Sequence, residues 1–253
     1  MLKLSIMFFQ LLKEGKLYFM AAKLFLIGLP GSGKSTVARY IQEYVKEWDW
    51  PNFHFSDYPL LQKMYRKDIE GKQFKAAAHG GFDVIDFTVV DTALKRLEQK
   101  VKRHISSKKS AELILIEFAR PDYQHAFRQF SKKFLRDQDT YFLYLDTKLD
   151  TCKQRILDRT KKPIFEDDYH VSEEIFKQYY HQDDGQDLPD ILERAYQIDR
   201  RHVRIINNND SLEAASTEIN AFVHFIARAT LRKDTADTLR GIALSSSIRE
   251  EHS

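Results

Sequence analysis

Leu24-Phe-Leu-Ile-Gly-Leu-Pro-Gly-Ser-Gly-Lys-Ser-Thr36 is the stretch that decides the fold. Four apolar residues, Leu24 to Ile27, predict a buried strand. The pattern Gly28-x-x-x-x-Gly33-Lys34-Ser35 follows at once. A helical pattern then runs from Ser35 to Trp48, with Val37, Ile41, Tyr44 or Val45, and Trp48 on one face. Gly28, Gly31 and Gly33 let the backbone take conformations closed to other residues, so that successive N–H groups can converge on phosphate oxygens. The helix behind them adds its positive N-terminal end. Lys34 has the reach to meet β- and γ-phosphates, and the Ser35 hydroxyl suits Mg²⁺. Pro30, Ser32 and Thr36 complete the expected ATP-binding loop. The prediction is ATP with Mg²⁺ as cofactor.

Outward from this stretch, 253 residues fit one large α/β domain. Net charge is only +3, from 40 Lys and Arg against 37 Asp and Glu, too little to argue for nucleic acid. The basic run from Lys100 to Lys109 ends a helix, where the dipole favours cations, and reads as a solvated helix end. A nucleic-acid partner is therefore not expected. Cys152 is the one cysteine, which excludes an internal disulfide framework and a Cys-rich zinc site. A reducing, cytoplasmic location is the expectation. The apolar run Ile6 to Leu12 is too short to span a bilayer and is broken by Lys13-Glu-Gly-Lys16, so no membrane association is expected. Met20, just before the strand, reads as the natural start. Residues 1–22 are then an N-terminal extension, 23–231 the domain, and 232–253 a loosely held tail.

Further strands are predicted at Phe53 to Phe55, Leu113 to Ile116, Tyr141 to Leu145 and Val203 to Ile206. Helical periodicity covers 58–66, 87–105, 122–136, 148–160, 172–180, 189–199 and 212–231. Residues 67–81, with Gly71, Gly80 and Gly81, read as a loop. Asp210 is the expected N-cap of the last helix. Alternating apolar strands and helices predict a three-layer α/β fold, a five-stranded parallel sheet with helices on both faces and a helical lid.

These features resemble the nucleoside and nucleotide kinase family, the adenylate kinase-like P-loop kinases, over roughly residues 23–230. Shikimate, gluconate and adenylylsulfate kinases and zeta-type toxins share most of the pattern. The resemblance implies a P-loop phosphotransferase moving the ATP γ-phosphate to a small-molecule acceptor, read first as a nucleoside or nucleotide. A non-nucleotide metabolite, or an ATP-binding regulatory module, stays open as the alternative. Asp57, after the second strand, implies an acceptor-side carboxylate, with a helix N-cap as its other reading. Glu117 resembles a Walker-B acid that holds Mg²⁺ together with Ser35. Many monophosphate kinases have Asp-Gly-Phe-Pro-Arg here; this chain has Glu117-Phe-Ala-Arg120, one residue shorter, closer to the Glu-Arg pairs of nucleoside and thymidylate kinases. Arg155 and Arg159 resemble the arginines that clamp the moving phosphoryl group, and 161–187 would be the lid. The loop Asn207 to Asp210 implies backbone contacts to adenine. His79 and the segment Phe82 to Phe87 fall where the family builds its acceptor pocket, with Arg66 and Arg120 as positive charge for a phosphorylated acceptor. The implied catalytic set is Lys34, Asp57, Glu117, Arg120, Arg155 and Arg159.

Overall fold

A computed structural model describes residues 21–77, 81–107, 112–161, 172–180 and 183–230. Residues 1–20 of the expected extension, the whole expected tail, His79 and much of the lid lie outside them. In chain order the elements are β1 (Ala22–Ile27), α1 (Lys34–Lys46), β2 (Asn52–Ser56), α2 (Tyr58–Tyr65), β3 (Phe74–Ala76), β4 (Phe82–Val84), α3 (Thr88–Ser107) and β5 (Leu113–Phe118). Then come α4 (Tyr123–Arg128), α5 (Lys132–Leu135), β6 (Thr140–Asp146), α6 (Leu149–Lys161), α7 (Glu173–Tyr179), α8 (Leu188–Tyr196) and β7 (Val203–Asn207). A last helix, α9, spans 212–230.

The main sheet has five parallel strands in the order β2-β5-β1-β6-β7. Its interior strands are apolar on both faces, as a doubly covered sheet requires. The period of two sorts them. Phe25 and Ile27 share one face with Ile114, Ile116 and Phe142, beneath Leu94, Leu97, Phe127 and Leu192 of α3, α4 and α8. Leu24 and Leu26 share the other with Leu115, Leu143 and Leu145, beneath Val37, Ile41 and Val45 of α1 and Ile219, Phe222 and Ile226 of α9. Phe25 is fully buried. It lies stacked on Phe142 at 5.0 Å and edge-on to Phe118, Phe127, Phe130 and Phe134. Burial of one such ring is worth about 1.5–3 kcal/mol, with more from the ring pairs. This is a three-layer P-loop NTPase fold.

Three expectations need correction. Residues 67–81 are not all loop. Phe74–Ala76 pairs antiparallel with Phe82–Val84, making a small second sheet whose Phe82 stacks on Tyr58 and Tyr65. The helix expected over 122–136 is broken. Ser131 caps α5, and Glu98 of α3 holds it, accepting from the Ser131 N–H at 2.7 Å and its hydroxyl at 2.5 Å. That tertiary carboxylate outweighs local propensity. The cap of α9 is Ser211 rather than Asp210, since Ser211 Oγ accepts from the Ala214 N–H.

Candidate nucleotide site

The strand order makes the site. The chain leaves β1 outward to β2 on one side, and later crosses from β5 over β1 to β6. The crevice at the carboxyl ends of the strands is where ligands gather in such sheets. Glu117, Asp57, Thr147 and Asn208 come to this edge from β5, β2, β6 and β7. Glu117 lies inside β5, one residue before its end, with Ser56 and Leu26 as its register partners.

The loop between β1 and α1 turns on two left-handed glycines, Gly31 at φ 81° and Gly33 at φ 93°. Any side chain at these positions would be strained. Space forbids one too: a Cβ on Gly31 would lie 2.4 Å from the Cys152 carbonyl, and one on Gly33 would lie 2.6 Å from Asn208 Nδ2. The lone cysteine thus acts here through its backbone, against the loop. Lys34 is buried, and its Nζ donates to the carbonyls of Gly28 at 3.1 Å and Leu29 at 2.8 Å. An ammonium has three donors, so one more can meet a phosphate oxygen. Burial pulls the Lys34 pKa down, and the Glu117 carboxylate opposes it.

Two carboxylates face the loop. Glu117 Oε1 accepts from Ser35 Oγ at 2.8 Å, and its Oε2 lies 2.9 Å from His54 Nε2. Burial pushes the Glu117 carboxyl up, but His54, Lys34 and Ser35 outweigh it and hold the group below its ordinary value. Asp57 is also buried, and its Oδ2 meets Arg120 Nη2 at 2.8 Å. Burial raises its pKa, and Arg120 recovers part of the shift. Asp57 occupies the N-cap position of α2 but makes no capping bond there. Arg120 is fixed in turn, donating to the carbonyls of Ala119 and Val90.

The other expected residues divide. Arg155 Nη2 donates to the Asp210 carbonyl at 2.7 Å, while its buried Nη1 has no hydrogen-bond partner among the described residues and sits close to Gly33. Arg159 is near enough to Lys34 to depress its pKa. Arg66 is not brought in. It caps the far end of α2, about 13 Å along the helix from Asp57 at 1.5 Å per residue.

The sequence reading missed two positions, His54 and Thr147, and the side-chain role of a third, Asn208, whose loop it reads only for backbone contacts. His54 backs Glu117 from the edge strand. Asn208 Nδ2 donates to the Ser32 carbonyl at 2.6 Å, fastening β7 to the loop. Thr147 Oγ1 shares that carbonyl at 3.3 Å. An Asn after a strand signals a turn, and nothing local marks its distant partner.

The profile of the AAA domain family matches residues 24–177, more than half of the chain. The chain belongs to the AAA domain family. Its match spans the loop, both carboxylates, α6 and most of α7. No curated protein matches in sequence. Among solved structures the chain is similar to shikimate kinase from Acinetobacter baumannii in complex with shikimate, at 16% identity and TM-score 0.43, over 83% of this chain and 96% of that one. It is similar to the Mycobacterium tuberculosis APS kinase in complex with AMPPNP and APS, at 15% identity and TM-score 0.45, over 81% and 98%. It is also similar to Chaetomium thermophilum Kti12 in complex with ADP-AlF3, at 15% identity and TM-score 0.48, over 81% and 98%. Among the described residues no helix is long and apolar enough to cross a membrane.

Proposed function

We propose that this AAA-domain chain is an ATP-dependent kinase that passes the γ-phosphate to a small acceptor, a nucleoside or nucleotide. One observation carries the reading. Two buried carboxylates at adjacent strand ends beside one P-loop are tied to different partners, Glu117 to Ser35 and Asp57 to Arg120. A hydrolysing switch needs the first of these pairs. A second carboxylate, with its pKa raised by burial, is what a transferase needs to take the acceptor's proton.

Among the described residues no cluster of three or more His, Cys, Asp or Glu could hold a metal ion. Mg²⁺ does not need one, since it is held by one or two protein oxygens together with phosphate oxygens and water. The hydroxyl of Ser35 and the carboxylate of Glu117 are hard oxygen donors 2.8 Å apart and fit it. When bound, the ion supplies charge neutralisation at the β- and γ-phosphates. The chain's own residues do the rest. Loop N–H groups cradle the phosphates, and Lys34 turns its remaining donor to them. Arg155 and Arg159 bring positive charge to the loop's mouth. Asp57 orients the acceptor hydroxyl and takes its proton, and Arg120 fixes Asp57. Positioning and electrostatics then account for the rate, because phosphoryl transfer asks little covalent chemistry of the protein.

The test is transfer from γ-labelled ATP to a panel of nucleosides, nucleoside monophosphates and hydroxylated metabolites. Labelled product from a nucleoside or nucleotide supports the reading. Label appearing only as inorganic phosphate, with every acceptor, overturns it in favour of an ATPase module.

A further inference from the structure

Helices α2 and α3 both start at the site and run away from it side by side. Beyond the first turns they enclose a cavity of about 370 Å³, lined by Leu60, Lys63, Lys67, Arg96, Gln99, Lys100 and Arg103. Five of these seven side chains are cations, and all five are exposed. Among the described residues no carboxylate is paired with any of them. The neighbouring acids are engaged elsewhere: Asp91 with His125, Glu98 with Ser131 and Lys102, and Asp68 with the N–H groups of Lys72, Gln73 and Phe74. Some other exposed cations carry partners, as Lys46 does with Glu43, Arg194 with Asp190 and Arg201 with Asp199. The groove therefore concentrates positive charge that the fold leaves unneutralised.

Its shape narrows the ligand. Arg96, Lys100 and Arg103 are spaced i, i+4, i+7 and form one row on α3. The row spans about 10 Å, a length over which one nucleic-acid strand carries about three phosphates at ~3.4 Å each. Lys63 on α2 and Lys67 in the turn just past its end face that row. Lys100 Nζ lies 5.4 Å from the centre of the Phe55 ring on edge strand β2, which steadies its stem. Leu60 is the one apolar lining residue, whereas protein interfaces are built around apolar and aromatic centres. Lys63 lies about 9 Å along α2 from Asp57.

We propose that the groove between α2 and α3 binds the phosphate backbone of a nucleic-acid strand, by charge and without base readout. The residues are far apart in sequence, and the small net charge hides them. The groove is separate from the P-loop, so strand binding does not require ATP.

The experiment is fluorescence anisotropy of the full chain with labelled single-stranded RNA and DNA of about 15 nucleotides across a salt series. The expected Kd is about 1–100 µM at physiological salt, with a log–log salt slope between about −2, for the three phosphates alongside the α3 row, and about −3.5 if all five cations meet phosphates of a single strand. Lys63→Gln with Arg96→Gln should flatten the slope by about 1.4. Replacing all five cations by Gln should raise Kd at least 10-fold, while Lys132→Gln with Lys133→Gln on α5 should leave it unchanged. Lys34→Ala should keep strand binding while losing ATP, which separates this inference from the kinase reading. No binding at low salt, or binding indifferent to the groove variants, overturns it. Equal competition by poly-glutamate of matched charge would also overturn it, by showing a site for acidic peptides as readily as for phosphate backbone.

Discussion

Ser35 Oγ donates to Glu117 Oε1 at 2.8 Å, joining the first turn of α1 to the strand beside β1. The proposed function gives these two residues one ligand, Mg²⁺, so their effects should not be independent. Ser35→Ala and Glu117→Gln should each depress ATP turnover and raise the Mg²⁺ concentration needed for half-maximal rate. The double variant should lose less than the sum, with a coupling of about 0.5–3 kcal/mol. Magnesium titrations of the four proteins check this, and additive losses would separate the two residues.

Lys34→Ala should remove the donor that the proposed function aims at the β- and γ-phosphates. The expected loss is at least ~2 kcal/mol of transition-state stabilisation, the order seen when one preorganised donor is deleted. The side chain also donates to Gly28 and Leu29, so the loop itself will loosen. Calorimetric ATP affinity and turnover should both fall. If both are unchanged, the central assignment fails.

Asn208→Ala deletes the clamp between β7 and the loop. The Ser32 carbonyl keeps Thr147, so the stability cost should be near 1 kcal/mol, a Tm drop of about 2–4 °C in a domain of this size. KM for ATP should rise several-fold through loss of loop geometry. Gly33→Ala pushes against the same amide and forces a left-handed backbone, so its effect should be larger and should overlap with that of Asn208→Ala. An unchanged KM in Asn208→Ala would make the clamp purely structural.

The loop was legible because its chemistry is local: glycines, Lys34 and Ser35 stand at fixed spacing between a strand and a helix. The five main strands were legible as apolar runs, but their order came only with the sheet. The hairpin β3–β4 was not legible, since three-residue strands carry almost no period. The break at Ser131 depends on Glu98, an acid thirty-three residues away. His54 and Asn208 look ordinary where they stand, and only the closed sheet brings them to Glu117 and Ser32. Arg66 shows the reverse: its charge suited a phosphorylated acceptor, but helix geometry puts it at the end of α2 far from Asp57.

Asp57 and Glu117 should part company with pH. Burial raises the Asp57 pKa, so this acid takes up a proton at a higher pH than an ordinary Asp. A general base works only when ionised, so transfer to the acceptor should fall as pH drops through that raised value. Glu117 is held below its ordinary value and stays ionised over the same range, so ATP binding and slow hydrolysis by water should not follow the decline. Asp57→Asn should abolish the acid limb and cost ~10² to 10⁴ in transfer rate, with ATP affinity nearly intact. Arg120 pulls the Asp57 pKa down, so its removal should raise that pKa further and move the limb to higher pH. Arg120→Ala should also cost roughly 3–5 kcal/mol of stability, because it leaves a buried carboxylate unpaired. The measurements are pH profiles of transfer and of hydrolysis in the wild type and both variants. Parallel decline of the two activities in the wild type, or an acid limb that survives in Asp57→Asn, would remove Asp57 from the proton's path.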